Sequence, residues 1–329
     1  MMFKFLGQGG RTWWYYMYLK SLVLTYRFKW YHRNGGGKKL CDKIFYVIGI
    51  DFHDEGLMSI VNSVMTHIEF ALDRGYTPVV NMQDFQSIYH KKNENVWEYF
   101  FEQPCGYNLS DVYGARNIIL SMNVLYPKGY SFEAGNQRRI EKIRSIYKDF
   151  LRPNQNLQSY LEESLNTIKL CKQGIIACIC RGTDYTNTIV GLPKQPTADM
   201  VIEKLKMFVS MYGVSNIYCA TEDERIYSRF QEEFGDRLIP NTQQKYDDNK
   251  GKLLSEVNVE QGIDVYDIAF QYYKSLYIVT QCDYLVAGWV SGTRSVLLMP
   301  NHFKDVFIFK LGSVKETDLL SQKNNNESY

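Results

Sequence analysis

The feature that most constrains the fold of this chain is an alternation of short apolar runs with amphipathic stretches, which occurs in two blocks. Continuous apolar runs between turn residues are typical of strands buried on both faces, whereas apolar residues spaced three and four apart are typical of helices. In the first block, the apolar runs Ile44–Ile50 and Tyr76–Val80 flank a helical pattern over Leu57–Arg74. This order predicts a parallel pair of strands joined by a right-handed crossover.

The second block repeats this plan more clearly. The predicted strands are Gly174–Cys180, Asn216–Ala220, Asp283–Gly288 and Val306–Lys310, and the predicted helices are Thr197–Tyr212, Thr221–Phe234, Tyr266–Thr280 and Ser291–Met299. Strands that alternate with helices in two blocks predict an α/β fold with two Rossmann-like, doubly wound domains. We expect a basic aromatic N-terminal segment at 1–41, domains at 42–170 and 171–312, and a polar tail at 313–329.

Charge is distributed unevenly along the chain. The 38 basic and 36 acidic residues nearly balance, which argues against a nucleic acid partner. Eight of the basic residues lie in residues 1–41, which contain no acidic residue, so the rest carries 30 basic against 36 acidic side chains. This segment is also rich in Trp and Tyr, a composition that suits the boundary between a membrane and water. It therefore either binds an anionic membrane surface or packs on the protein through its aromatic side chains.

The seven cysteines do not resemble a disulfide framework, because their number is odd and Cys178, Cys180 and Cys219 lie inside apolar runs. We predict buried thiols in a reducing compartment, and hence a cytoplasmic protein, peripheral at the inner membrane face if residues 1–41 bind lipid.

The patterns HExxH, paired CxxC, GxSxG and DxD are absent, so we predict no metal site.

Polar residues follow three strands of the second block, where open α/β sheets bind ligands. Arg181-Gly182-Thr183-Asp184 follows the first of these strands. The fork of Arg181 matches two phosphate oxygens, and Asp184 either orients Arg181 or accepts a hydrogen bond from a sugar hydroxyl. The alternative is a structural Arg–Asp pair that closes a turn.

The other two strand ends each carry a binding hypothesis and a structural alternative. After Asn216–Ala220, the carboxylates of Glu222 and Asp223 either accept hydrogen bonds from a base or ribose, or belong to a helix start capped by Thr221 and Glu224. The segment Ser291-Gly292-Thr293-Arg294 opens a predicted helix, whose N–H groups and hydroxyls bind an anion unless Ser291 is an ordinary cap. In the first block, the corresponding loop contains His53, Asp54 and Glu55.

These strand ends together resemble the fucosyltransferase superfamily that carries an HxRxGD-type motif, with alpha-1,2-, alpha-1,6- and protein O-fucosyltransferases among its members. Ile179–Asp184 is similar to that motif, Ala220–Asp223 to the acidic stretch that follows it, and Asp283–Ser291 to the last motif. Residues 55–59 with Asn62 resemble the turn that opens the acceptor-side domain.

The resemblance implies a GT-B fold, with two domains facing across a cleft, and an inverting transfer of fucose from GDP-fucose to a glycan without a metal or other cofactor. It implies that Arg181 and Asp184 are catalytic, with Arg181 stabilising the leaving diphosphate. It places donor contacts at Arg181, Thr183, Thr221, Glu222, Asp223, Ser291, Gly292, Thr293 and Arg294, and the acceptor beside His53, Asp54 and Glu55.

The chain departs from the family pattern at four positions. Ile179 replaces the usual His, Gly182 replaces a frequent second Arg, Thr183 stands where the motif has Gly, and Ser275 lies where an acidic donor contact is common. Two alternatives therefore stay open: a transferase that uses another nucleotide sugar, and a non-catalytic membrane-associated protein that retains the fold.

Overall fold

A parallel sheet forms the centre of each of the two units into which the chain divides, Met1–Asn156 and Leu157–Tyr329. The computed structural model describes residues 38–53, 55–121, 125–130, 137–168, 174–183, 191–247 and 254–315. Residues 1–37, which hold most of the basic aromatic segment, lie outside the described residues, as does the tail beyond residue 315.

The first unit contains a three-stranded parallel sheet in the order β2-β1-β3. Its elements are β1 (Lys39–Ile48), α1 (Leu57–Leu72), β2 (Thr77–Val80), α2 (Leu109–Gly114), β3 (Ala115–Leu120) and α3 (Gln137–Phe150), with a 3-10 turn at Val96–Tyr99. The β-α-β order predicted for the first block is present. Strand β1 begins at Lys39, so the boundary that we expected after Cys41 falls inside a strand, because Lys39 pairs with Ala115 of β3.

The second unit contains a five-stranded sheet in the order β6-β5-β4-β7-β8, and every pair of neighbouring strands in it is parallel. The strands are β4 (Ile175–Ile179), β5 (Asn216–Ala220), β6 (Leu238–Ile239), β7 (Tyr284–Ala287) and β8 (Asp305–Ile308). The helices are α4 (Gln155–Ser164), α5 (Ala198–Tyr212), α6 (Glu224–Phe234), α7 (Leu254–Gln261), α8 (Val265–Thr280) and α9 (Ser291–Leu298).

Alternate side chains of the second sheet pack in two layers. Cys178, Cys180 and Cys219 lie in a buried cluster with side chains of α5 and α6, such as Leu205 and Phe230. Next to Cys219 along β5, the Tyr218 hydroxyl lies 3.2 Å from the hydroxyl of Ser275 on α8. Because the strands are covered on both faces, they read as continuous apolar runs in the sequence. The prediction that these three cysteines are buried thiols is confirmed, since all are fully buried and none forms a disulfide.

The second unit begins at Leu157 rather than at Cys171, where we expected it. Leu157 and Leu161 of α4 are fully buried, and the ring of Tyr160 packs against Phe270 of α8 at 6.1 Å between centroids. The apolar face of α4 therefore belongs to the core of the second unit. None of the helices in the described part of the chain is long and apolar enough to span a membrane.

Candidate functional site

The carboxyl ends of β4, β5 and β7 lie side by side in the second sheet. Ile179, Ala220 and Ala287 occupy matching register positions, with β4 between its two neighbours. From β4 the chain continues to β5 and β6 on one side, whereas β7 and β8 lie on the other. The sheet therefore reverses its order between β4 and β7, and such a switch point is where open α/β sheets bind ligands.

The turn that follows β4 is held by the carboxylate of Glu222. Glu222 Oε1 accepts hydrogen bonds from Gly182 N at 3.0 Å and from Thr183 Oγ1 at 3.1 Å, and it lies 3.4 Å from Arg181 Nε. The Glu222 side chain is only 5% exposed, so it interacts with this turn instead of facing solvent. A buried carboxylate beside a guanidinium fixes the position of that guanidinium.

Asp223 connects the same turn to the start of α6. One oxygen of its carboxylate, Oδ2, accepts from Thr183 N at 2.9 Å and from Arg225 Nη2 at 2.7 Å, and the other, Oδ1, accepts from Arg225 N and Nε and from Ile226 N. Burial alone would raise the pKa of Asp223, but the bonds from Arg225, Thr183 and Ile226 outweigh it and lower that pKa. Asp223 is thus ionised at neutral pH and is the N-cap of α6.

Two backbone features of the turn depend on this close approach. A Cβ atom on Gly182 would lie 2.4 Å from Asp223 Oδ2, so glycine is the residue that fits there. Thr183 has a φ of 49°, in the left-handed region that costs a β-branched residue free energy. Its hydrogen bonds to Glu222 and Asp223 offset that strain.

A cavity of about 370 Å³ opens beside this turn. It is lined by residues of the turn, of the segment that enters α5 and of the start of α6: Arg181, Gly182, Gln195, Pro196, Thr197, Ala198, Asp223, Arg225 and Ile226. Arg181 and Arg225 therefore both line this cavity, and each lies beside a buried carboxylate. The N-termini of α5 and α6 also contribute to the wall, and both favour negative charge.

The end of β7 contacts the wall of this cavity through Gln195. Gln195 Nε2 donates to the Trp289 carbonyl at 3.2 Å, and a Cβ atom on Gly288 would lie 2.3 Å from Gln195 Oε1. Beyond it, the fully buried Thr293 donates its hydroxyl to the Gly288 carbonyl at 2.7 Å. The end of β7 therefore packs behind Gln195 in the wall of the cavity. Residues 291–294 do not line the cavity.

Two structural alternatives from the sequence are wrong in detail. The N-cap of α6 is Asp223, so Thr221 and Glu224 do not form a capping box there. Thr221 Oγ1 instead accepts a hydrogen bond from Asp223 N at 3.2 Å. Val290 occupies the N-cap position of α9, with no side-chain cap bond, so Ser291 is not the cap.

The structure brings some of the predicted site residues together and separates others. Arg181, Thr183, Glu222 and Asp223 form one bonded group, and Thr221 is buried next to it. Gly292 packs against α8, because a Cβ atom there would lie 2.4 Å from the hydroxyl of Tyr272. The guanidinium of Arg294 lies 5.9 Å from the ring centroid of Trp289. Asp184 lies outside the described residues.

In the first unit, the loop after β1 carries the predicted acceptor-side residues. The side chain of His53 is exposed and that of Glu55 is half-buried, whereas Asp54 lies outside the described residues. The buried neighbour Asp51 accepts a hydrogen bond from Gln86 N at 2.8 Å and so ties this loop to the segment after β2.

Six lining residues of this cavity were not predicted from the sequence: Gln195, Pro196, Thr197, Ala198, Arg225 and Ile226. Arg225 follows a helix cap by two positions, where it reads as a surface residue of α6. Gln195 lies before the cap Thr197, in a connection without a recognisable motif. The sequence signal that could have identified Arg225 is the pattern Asp-x-Arg, Asp223 to Arg225, shortly after a buried strand.

Within the described residues, no three His, Cys, Asp or Glu side chains gather in a way that could hold a metal ion.

Comparison with solved structures finds fucosyltransferases at low identity. The chain is similar to the alpha-1,6-fucosyltransferase NodZ soaked with GDP-fucose, with 12% identity over 78% of this chain and 94% of that one, and a TM-score of 0.45. It is similar to the fucosyltransferase NodZ from Bradyrhizobium at 11% identity over 77% and 93%, with a TM-score of 0.45. It is also similar to POFUT1 in complex with GDP at 13% identity over 82% and 74%, with a TM-score of 0.36. No family model and no curated protein matches the sequence.

Proposed function

We propose that this protein is a glycosyltransferase that binds a nucleotide sugar at the switch point of its second sheet. The observation that carries the proposal is the cavity at the end of β4, which Arg181 and Arg225 both line and where Glu222 and Asp223 pair with these arginines. Fixed positive charge beside helix N-termini suits a diphosphate. The motif resemblance supports the same function.

In the proposed reaction, Arg181 stabilises the leaving nucleotide diphosphate. An acceptor hydroxyl attacks the anomeric carbon, the bond from that carbon to the phosphate oxygen breaks, and the nucleotide leaves with the electron pair and its negative charge. A guanidinium already fixed by Glu222 meets that charge without reorganising, which is how electrostatic catalysis lowers a barrier. The acceptor proton passes to a base, for which Asp184, His53, Asp54 and Glu55 are the candidates.

We base the finer features of the proposed reaction on the motif resemblance. They are GDP-fucose as donor, a glycan as acceptor, inversion at the transferred carbon, no metal, and a GT-B pair of domains. Glu222 and Asp223 act in this proposal as positioning residues for Arg181 and Arg225, and not as direct contacts to a base or ribose. Their carboxylates are buried and already bonded to the turn. We propose that Thr183, Thr221 and residues 291–294 shape the donor site from behind the cavity wall.

A different nucleotide sugar is the second candidate. The hydroxyl of Ser275, at the position where the family often has an acidic donor contact, lies 3.2 Å from Tyr218 Oη and accepts from Asn241 Nδ2 at 3.0 Å. Ser275 is also fully buried, so this position makes contacts within the protein. A changed donor contact favours a donor other than GDP-fucose.

Release of nucleotide from a panel of donors tests the function. The protein is incubated with GDP-fucose, GDP-mannose and UDP-glucose, with and without glycan acceptors, and free nucleotide is followed over time. We expect release from one donor and its loss in Arg181→Ala, by about 100-fold or more, in the range seen when a charge-stabilising donor is removed. The control is Arg229→Ala, which removes an arginine on α6 whose guanidinium pairs with Asp199 away from the cavity. Release from no donor, or equal rates in wild type and Arg181→Ala, would contradict the proposal.

A further inference from the structure

A second cavity, of about 240 Å³, lies in the same unit and shares no lining residue with the cavity at Arg181. It is lined by α4, β5, the segment after β6, and α8: Tyr160, Glu163, Ser164, Tyr218, Pro240, Asn241, Thr242, Lys274 and Ile278. The proposed donor site uses none of these residues. The cavity is smaller than the roughly 300–1,000 Å³ of pockets that hold drug-sized ligands, so a nucleotide sugar is too large for it.

A buried ammonium group is the main feature of this cavity. Lys274 is 7% exposed, and its Nζ donates to Thr242 Oγ1 at 2.6 Å and lies 5.1 Å from the ring centroid of Tyr160. No carboxylate of the described residues lies within 4.0 Å of Lys274 Nζ. Burial lowers the pKa of Lys274, and the more distant charges of Asp267 and Glu163 only partly oppose that effect. A buried charge without an ion pair costs free energy, and a bound anion would recover part of it.

The remaining lining combines apolar surface with hydrogen-bonding groups. Pro240, Ile278 and the half-buried ring of Tyr160 supply apolar walls. The hydroxyls of Ser164 and Thr242 and the exposed carboxylate of Glu163 supply hydrogen-bond donors and acceptors. A sugar has both a face of C–H groups and a ring of hydroxyls, so it matches both kinds of surface, whereas a bare inorganic anion matches only the lysine.

We propose that this cavity binds a monosaccharide that carries one anionic group, with that group paired to Lys274 and a C–H face against Tyr160. The charge is a carboxylate, as in a uronic acid, or a phosphate ester. Such a ligand would form an ion pair with Lys274, and a single sugar ring is small enough for the cavity of about 240 Å³. The inference does not depend on the proposed function, because the two cavities are built from different residues.

Titration calorimetry with four probes tests the inference: glucuronate, glucose 6-phosphate, glucose and inorganic phosphate. We expect glucuronate or glucose 6-phosphate to bind at least about tenfold more tightly than both glucose and inorganic phosphate, a difference of about 1.4 kcal/mol. Which of the two charged sugars binds more tightly identifies the charged group.

Two variants locate the site. Lys274→Met should weaken binding of the charged sugar at least about tenfold, and the half-buried Tyr160→Leu, which is safer for folding, should weaken it as well. Lys206→Met is the matched control, because it removes the same charge from an exposed residue of α5. The proposal is overturned if neither charged sugar binds, if both site variants bind like wild type, or if glucose or phosphate binds equally well. None of these results changes nucleotide release at Arg181, so the two proposals fail separately.

Discussion

In the candidate site, Asp223 connects three parts of the structure through hydrogen bonds. Its carboxylate accepts hydrogen bonds from the turn after β4, from the first N–H groups of α6 and from the guanidinium of Arg225, while the residue is 1% exposed. Sequence alone presented Asp223 as one of three neighbouring acids, with no sign of which were buried. Which of these acids are buried depends on a tertiary contact between segments 40 residues apart, because residues 181–183 fold back over the end of β5.

The lowered pKa of Asp223 predicts a specific dependence of stability on pH. A carboxyl whose pKa is lower in the folded than in the unfolded state stabilises the fold above its unfolded value of about 4, and loses that contribution as the pH falls through the folded value. Asp223→Asn should therefore lower the free energy of unfolding by about 2 kcal/mol at pH 7, the size expected for a charged hydrogen-bond acceptor. The difference from wild type should begin to shrink below about pH 4, where the unfolded wild-type chain takes up a proton, and should vanish below the folded pKa.

Urea unfolding of wild type and Asp223→Asn at a series of pH values measures this difference. The control is Asp199→Asn, whose side chain is 70% exposed and whose loss should change stability by less than about 0.5 kcal/mol. A loss in Asp223→Asn that stayed constant from pH 7 to pH 3 would mean that the charge of Asp223 contributes nothing.

The main strands and helices were predicted correctly at the level of single elements because their signal is local. Strands buried on both faces give continuous apolar runs, and the helices between them keep their apolar spacing. Strand β6 was missed because it is only two residues long, and α7 because the segment around it has no apolar periodicity. The starts of α5, α6 and α8 shifted by one to three residues, since the capping residue is decided by which side chain reaches the free N–H groups.

The packing of α9 on α8 gives a prediction that separates a structural role of Gly292 from the binding role suggested by sequence. A methyl group at this position would meet the hydroxyl of Tyr272 and Leu276 Cδ1, at 2.4 Å and 3.1 Å. Gly292→Ala should therefore destabilise the protein by about 1–3 kcal/mol, the usual cost of overpacking.

A double-mutant cycle checks that explanation. In a Tyr272→Phe background, the hydroxyl that the new methyl group meets is absent, so Gly292→Ala should cost less than it does in wild type. Equal costs in both backgrounds, measured by urea unfolding, would refute the packing account of Gly292.

At the scale of the whole molecule, the sequence indicated two α/β blocks, and both contain parallel sheets in the structure. The identity of the cavity lining was beyond sequence reasoning. Gln195 and Arg225 come together with Arg181 only because α5 and α6 both start at the carboxyl edge of the sheet. The motifs predict a site at the carboxyl edge of the second sheet, where the cavity lies, but the connections between strands decide which side chains line that cavity.

The basic aromatic segment at residues 1–41 predicts a membrane interaction of the full chain. We expect the protein to sediment with vesicles that contain anionic lipid, and to be released as salt is raised, because exposed charges are screened over about 8 Å at physiological ionic strength. A chain that starts at Lys38, where the described residues begin, should sediment less. Equal sedimentation of both chains would show that residues 1–37 do not bind the membrane.

The central claim is that the cavity at the end of β4 binds a nucleotide diphosphate through Arg181, and calorimetric titration with GDP and with UDP tests it most directly. We predict that wild type binds at least one of the two, that Arg181→Ala weakens this binding at least about tenfold, and that Arg229→Ala leaves it unchanged. Failure of both nucleotides to bind wild type, or equal affinity in wild type and Arg181→Ala, would contradict the claim.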